Sequence, residues 1–250
     1  MIVSVINLTE GALIDAQVQS AIRAVNRQIS EDFARYWGFG GELRLEGKTG
    51  RKRRSVDPAD MRGDAILYLL NEVRVSKTDG FHDKWFRGIP YSVVYRELSD
   101  LLKEAWTITL SHEALELIGD AEANLLVQGP HPRHPSRKVY HWFEMCDAVQ
   151  NESYAIDGIG VSNFVLPLYF TSSAERGGRN DFLGTRAQGR SLRSFGVNPG
   201  GYIGYFDPKT GKDENYEMRG DTTAAHRLAV KRRLRTGRGM RRKRRTRGLD

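Results

Sequence analysis

Cysteine is almost absent from this chain: Cys146 is the single one in 250 residues, which excludes an intramolecular disulfide framework and any cysteine-rich zinc module. That count fits a reducing compartment, and a lone cysteine reads first as a small packed residue and only second as a nucleophile. Long apolar runs are missing too. No stretch approaches the roughly 18 residues of a membrane span, so a soluble protein is expected. The opening Met1-Ile2-Val3-Ser4-Val5-Ile6-Asn7 lacks the basic region and apolar core of a signal peptide; it reads as a first β-strand, and a cytoplasmic location is the expectation. Phosphate- and dinucleotide-binding glycine patterns are lacking as well. The glycine preceding Gly47-Lys48-Thr49 is Gly41, one residue too far for a phosphate loop, and Gly200 to Pro208 reads as turns and a strand. No internal repeat is evident.

The formal net charge of +8 is a property of one end. Residues 227–250 hold 12 of the 39 basic residues and one of the 31 acidic ones, leaving 27 basic against 30 acidic residues in 1–226. The expectation is a near-neutral domain over 1–226 followed by a disordered basic tail over 227–250, since a segment with so little apolar content cannot pack. Such a tail binds RNA, DNA or another polyanion by counterion release, or serves only to solubilise. Without interleaved aromatics it offers no stacking platform for base readout.

Periodicity then orders the elements. Val18, Ile22, Val25, Ile29 and Phe33 recur at three and four, which predicts an amphipathic helix over Asp15 to Trp37 packed on a sheet. Ile2 to Ile6, Glu42 to Leu45 and Ala65 to Leu70 read as strands, with Lys48 to Asp60 as a loop. Gly88 to Tyr95 reads as another strand, and Pro90 within it argues for a sheet edge. Leu98 to Gly119 has helical spacing, as one broken helix or two. The prolines at 130, 132 and 135 predict a loop whose two histidines, His131 and His134, lie at the surface.

Within the second helical region stands Ser111-His112-Glu113-Ala114-Leu115-Glu116-Leu117-Ile118-Gly119-Asp120. In the zinc-peptidase pattern H-E-x-x-H, two ligands four residues apart stack on one helix face, and the intervening glutamate activates the water. Here Glu116 replaces the second histidine. A carboxylate donates to zinc through oxygen, so charge and hardness change while the spacing stays. The plain alternative is a solvated acidic face. Burying a histidine beside several carboxylates is costly unless a cation or a basic partner neutralises them, however. Downstream, Tyr140-His141-Trp142-Phe143-Glu144-Met145-Cys146-Asp147 sets two acids among aromatic bulk. Asp147 is the favoured third ligand, Glu144 the next, and Asp120 the helix-borne alternative; each is equally suited to capping or to a salt bridge.

The helix Ser111 to Asp120, followed some 25 residues later by Glu144-Met145-Cys146-Asp147, resembles zincin-like metallopeptidase proteins whose helix reads H-E-x-x-E and is followed by an E-x-x-D element. Ala21 to Phe33 with Tyr36-Trp37-Gly38 is similar to their opening helix. Phe81-His82-Asp83 with Ile89-Pro90-Tyr91 is similar to their cleft-edge strand, and Val161 to Phe170 to the segment after the metal site. The resemblance covers about residues 1 to 208. It implies an α/β (α+β), zincin-like fold: a mixed sheet with a packed N-terminal helix and an active-site helix. It further implies a zinc or other divalent ion on His112, Glu116 and a downstream acid, Glu113 as general base, and His82 or Tyr91 as hydrogen-bond donors to the oxyanion. The implied partner is a peptide or protein substrate lying along the edge strand. Two readings compete with an active peptidase: a silent zincin-like scaffold, and a polyanion-binding protein acting through 227–250.

Overall fold

Strand β1 (Ile2–Leu8) alternates as its sequence demands, with Val3 and Val5 on one face and Ser4 and Ile6 on the other, all four buried. The computed structural model describes residues 1–49, 57–71, 90–171, 178–184 and 191–234. After β1 the chain enters α1 (Asp15–Arg27), a six-residue π-type segment (Gln28–Phe33) and α2 (Ala34–Trp37), a continuous helical run that stops at Gly38, whose φ of 73° is left-handed. All five predicted apolar positions of this run are buried. Asn26 fastens it to β2 (Glu42–Glu46) in both directions, donating to the Leu43 carbonyl at 2.9 Å and accepting the Leu43 amide at 2.8 Å.

Strands β3 (Ala65–Leu70) and β4 (Tyr91–Tyr95) complete a four-stranded sheet of order β2-β1-β3-β4, parallel throughout. One face presents Leu43, Val5, Leu67 and Val94 to the main core; the other carries a smaller cluster of Ile6, Ile66 and Tyr68, packed by Tyr91 and Val93. β4 is the outermost strand of the described sheet, as Pro90 predicted. Two helices follow, α3 (Arg96–Leu101) and α4 (Trp106–Gly119), so the predicted helical region is split.

The remainder is antiparallel. β5 (Leu126–His131), β6 (His134–Trp142), β9 (Tyr202–Asp207) and β10 (Lys212–Glu217) form a sheet of order β10-β9-β6-β5. Between them, β7 (Ser153–Ile156) and β8 (Ile159–Ser162) make a separate hairpin against α4. The molecule is thus mixed α/β, with parallel and antiparallel halves.

Two expectations are corrected. The three-proline segment is a tight β5–β6 hairpin rather than a loop: the register shifts at Pro130/His131 and β5 is an outer strand, so the missing amide costs no central pairing. Residues 227–234, expected within the basic tail, are helical instead. Helix α5 (Thr222–Leu234) buries Ala224 and Leu228, and Arg227 is buried on Glu104, with Nη1 donating at 3.0 Å. Residues 235–250 lie outside the described residues. Among the described residues no helix is long and apolar enough to cross a membrane.

Gly201 fixes how β9 meets the rest. A Cβ there would fall inside contact distance of the Ala148 carbonyl and 2.9 Å from the Asp147 carbonyl oxygen, backbone atoms that cannot rotate away. Gly201→Ala is therefore expected to lower stability by roughly 1–3 kcal/mol, the usual cost of overpacking, read as a reduced urea midpoint with an unchanged m-value.

Candidate metal centre

Helix α4 is apolar on most of its surface: Leu110, Ala114, Leu115, Leu117 and Ile118 are buried in the core. His112 and Glu116, one turn apart on this helix, are carried inside with them. The other half arrives from the turn after β6, where a single helical turn at Asp147–Val149 presents Asp147, with Glu144 just before it. Gly119 closes the gap between the two halves, since a Cβ there would meet the end of the fully buried Met145 at 2.5 Å.

His112, Glu116, Glu144 and Asp147 are each no more than 6% exposed. Nε2 of His112 lies 3.3 Å from Oε1 of Glu116 and 3.4 Å from Oδ1 of Asp147. Ligand-type atoms of His112, Glu113 and Glu116 fall within 4.8 Å of one another, and so do those of Glu116, Glu144 and Asp147. Tyr202 of β9 hydrogen-bonds Asp147, and the Cys146 amide donates to Glu116 Oε1 at 3.4 Å. Glu113 differs from these in burial: it is half-buried, and it accepts a short hydrogen bond from Oγ of Ser92 on β4.

Charge explains the protonation states. Burial by itself lowers the His112 pKa, but attraction by Glu116 and the hydrogen bonds to Asp147 and Glu116 outweigh it and push it up to about 10. A proton thus occupies the place between two carboxylates that suits a cation. Burial pushes the Cys146 thiol well up, reinforced by Glu116 and Asp147, so Cys146 is a packed neutral thiol and no nucleophile. Burial and Asp147 likewise hold the Tyr202 phenol protonated, leaving it a donor. His141, at the end of β6, is lowered to about 4 by burial and is neutral, with Nε2 bonded to the Pro130 carbonyl at 2.9 Å.

Comparison with family models, curated proteins and solved structures finds no match to this chain. Its own geometry therefore sorts the residues predicted from sequence. His112, Glu113, Glu116, Glu144 and Asp147 come together. Asp120 does not join them: its carboxylate accepts the Asn124 amide at 3.0 Å and the Leu125 amide at 3.1 Å, which caps the turn after α4. Tyr91 is corrected as well. Successive residues of a strand face opposite ways, so while Ser92 turns to Glu113, Tyr91 packs with Ile6, Ile66 and Tyr68 on the far face. His82 lies outside the described residues. His131, expected at the surface, is buried, and its Nδ1 accepts the Arg133 amide at 3.0 Å within the hairpin turn; His134 is exposed.

Ser92, Tyr202 and His141 went unnoticed in the sequence. For Ser92 a signal existed: it shares its strand face with the core residue Val94. Nothing local marks Tyr202, which reaches Asp147 only through the β6–β9 pairing.

Because the His112 pKa is raised above its unfolded value of roughly 6.5, its stabilising contribution is complete below that pH and is lost as pH rises through about 10. The chelator-treated protein should therefore lose urea resistance from about pH 7 to about pH 10, and His112→Gln should lose distinctly less over the same window. Equal slopes in the two proteins would show that His112 is not held as a cation.

Proposed function

We propose that this chain is a zincin-like, metal-dependent hydrolase of peptide bonds, with zinc or another divalent ion held by His112, Glu116 and Asp147 and with Glu144 alongside. The observation that carries the reading is the His112 imidazole enclosed within 3.3–3.4 Å of two buried carboxylates, with a third acid, Glu113, next to it on the same helix. One nitrogen and several carboxylate oxygens are a donor set that zinc accepts.

When bound, the ion supplies Lewis acidity towards a peptide carbonyl and acidifies water. The chain's own groups divide the remaining work. Glu113, half-buried and therefore reachable, takes the proton of the attacking water and returns it to the leaving amine. Ser92 orients that carboxylate by donating a hydrogen bond to one of its two oxygens. Tyr202 fixes Asp147 in the same manner, as a positioning residue. An extended peptide pairing with the outer edge of β4 brings its carbonyl alongside Ser92 and Glu113. Two carboxylate ligands make the centre more anionic than a two-histidine site, so a slow or specialised hydrolase is expected.

The test begins with metal content. Protein purified without chelator should carry zinc by mass spectrometry, and His112→Ala/Glu116→Ala should lose it while remaining folded. Glu113→Gln should keep the ion and lose peptide hydrolysis by roughly 10²–10⁴-fold, the range for removing a general base. If Glu113→Gln changes no activity against a peptide library, the chain is a silent scaffold; if zinc never binds, the hydrolase reading is wrong.

A further inference from the structure

The antiparallel sheet buries one face and leaves the other open. Along β6, Val139 and His141 are buried, whereas Lys138 and Tyr140, which alternate with them, are exposed and stand on the outer face. Pairing carries that face across all four strands: Gln128 of β5 lies opposite Tyr140, Tyr140 opposite Phe206 of β9, and Phe206 opposite Asp213 of β10. Residues in register on neighbouring strands point to the same side. In this row Gln128 and Asp213 are exposed, Tyr140 is 37% exposed and Phe206 is half-buried.

An aromatic pair left partly in water forgoes stabilisation that full burial would give. Among the described residues, neither ring stacks on another aromatic ring. Cations surround the pair. Lys138 precedes Tyr140 by two residues on the same face, Lys209 lies in the β9–β10 turn and Lys212 opens β10; all three are exposed, and none is ion-paired among the described residues. Asp213 is the acid of the row, and the Trp142 indole donates to it at 3.2 Å. Further along the same chain, Arg241 to Arg245 is an unbroken run of cations. The C-terminal segment has charge without aromatic rings, and the sheet has the rings.

We propose that this outer face binds single-stranded nucleic acid, with bases stacked on Tyr140 and Phe206 and phosphates neutralised by Lys138, Lys209 and Lys212. The C-terminal cations add an electrostatic hold that carries no sequence preference. Every base has a π-face, but it is open to an aromatic side chain only when the base is unpaired, so the fit is to a single strand of either sugar and not to a duplex. None of these side chains belongs to the His112, Glu116 and Asp147 cluster, and the inference stands independently of the metal reading.

Fluorescence anisotropy of the full-length protein with short labelled oligouridylate, oligothymidylate and a duplex of equal length tests the assignment. Both single strands should bind more tightly than the duplex. Tyr140→Ala and Phe206→Ala should each weaken binding roughly 5- to 150-fold, the range for removing one stacking platform, while Tyr140→Phe should bind as the wild type does. Lys138→Ala should lower the slope of log affinity against log salt by about 0.7, the share of one phosphate contact. Deleting residues 235–250 should reduce affinity yet leave the loss caused by Tyr140→Ala in place. Near-ultraviolet circular dichroism checks that each variant is folded. No binding of either single strand, equal or tighter binding of the duplex, or undiminished binding by either folded alanine variant overturns the sheet site. If Phe206→Ala does not fold, Tyr140→Ala, at its exposed position, decides.

Discussion

The enclosure of several carboxylates around one imidazole is the constraint to which the rest of this structure answers. Ionised acids in a dry interior are tolerated only when paired, hydrogen-bonded or attached to a cation, and each element around α4 supplies part of that compensation. His112 contributes positive charge at 3.3 and 3.4 Å from Glu116 and Asp147; Tyr202 donates from β9 and the Cys146 amide from the turn after β6. The centre therefore lies on the seam between the two halves of the molecule, with the helix shared by both. Displacing either half removes stabilising partners from the same charges.

Holding α4 against that strain requires a rigid support on its other side. Oγ of Ser111, adjacent to His112, donates to Oε1 of Gln28 at 2.6 Å and accepts the Ser162 amide at 3.0 Å, while Nε2 of Gln28 donates to the Ser162 carbonyl at 2.7 Å. This closed ring of buried bonds joins the opening helix, α4 and β8. Gln28 begins the π-type segment, the widened stretch of an otherwise continuous helix, which turns its side chain under α4. Further out, Tyr154 carries the network from Gln28 to Asp32, at 3.2 and 2.6 Å. A fully satisfied polar network of this kind fixes one arrangement of the core, because each alternative leaves a buried donor or acceptor unmet.

Within the centre, burial separates roles that residue type leaves equal. Glu113 and Glu116 are chemically identical and three positions apart, yet one is half-buried beside an outer strand and the other is enclosed with Asp147 and Glu144. The enclosed carboxylate suits ligation and the accessible one suits proton transfer. The same contrast disposes of Cys146: adjacent to Asp147 in the chain and near Glu116 in space, its thiol is held neutral by burial and by negative neighbours, the opposite of what a nucleophile needs.

Much of this was legible in the linear chain, for reasons that are local. The three-and-four spacing of Val18 to Phe33 produced a buried helical face, the strand-like runs at 2–6, 42–45 and 65–70 became strands, and the i, i+4 pair His112 and Glu116 was brought onto one buried face. Aromatic bulk around Glu144 and Asp147 signalled acids in an apolar setting, as found. What failed depended on partners distant in sequence. Asp120 was lost as a ligand because loop amides take up its carboxylate, and Tyr91 because strand alternation turns Ser92, not its neighbour, towards Glu113. The prolines at 130–135 became a hairpin because β5 lies at the outside of its sheet, and the helix at 222–234 formed because Arg227 found Glu104 and Leu228 found apolar cover. Periodicity and residue chemistry alone determined the opening helix, the strands of the parallel sheet and the leading site candidates. Only tertiary packing decided which polar groups face one another, because hydrogen bonds and charge pairing are set by approach in space and leave no period in the sequence.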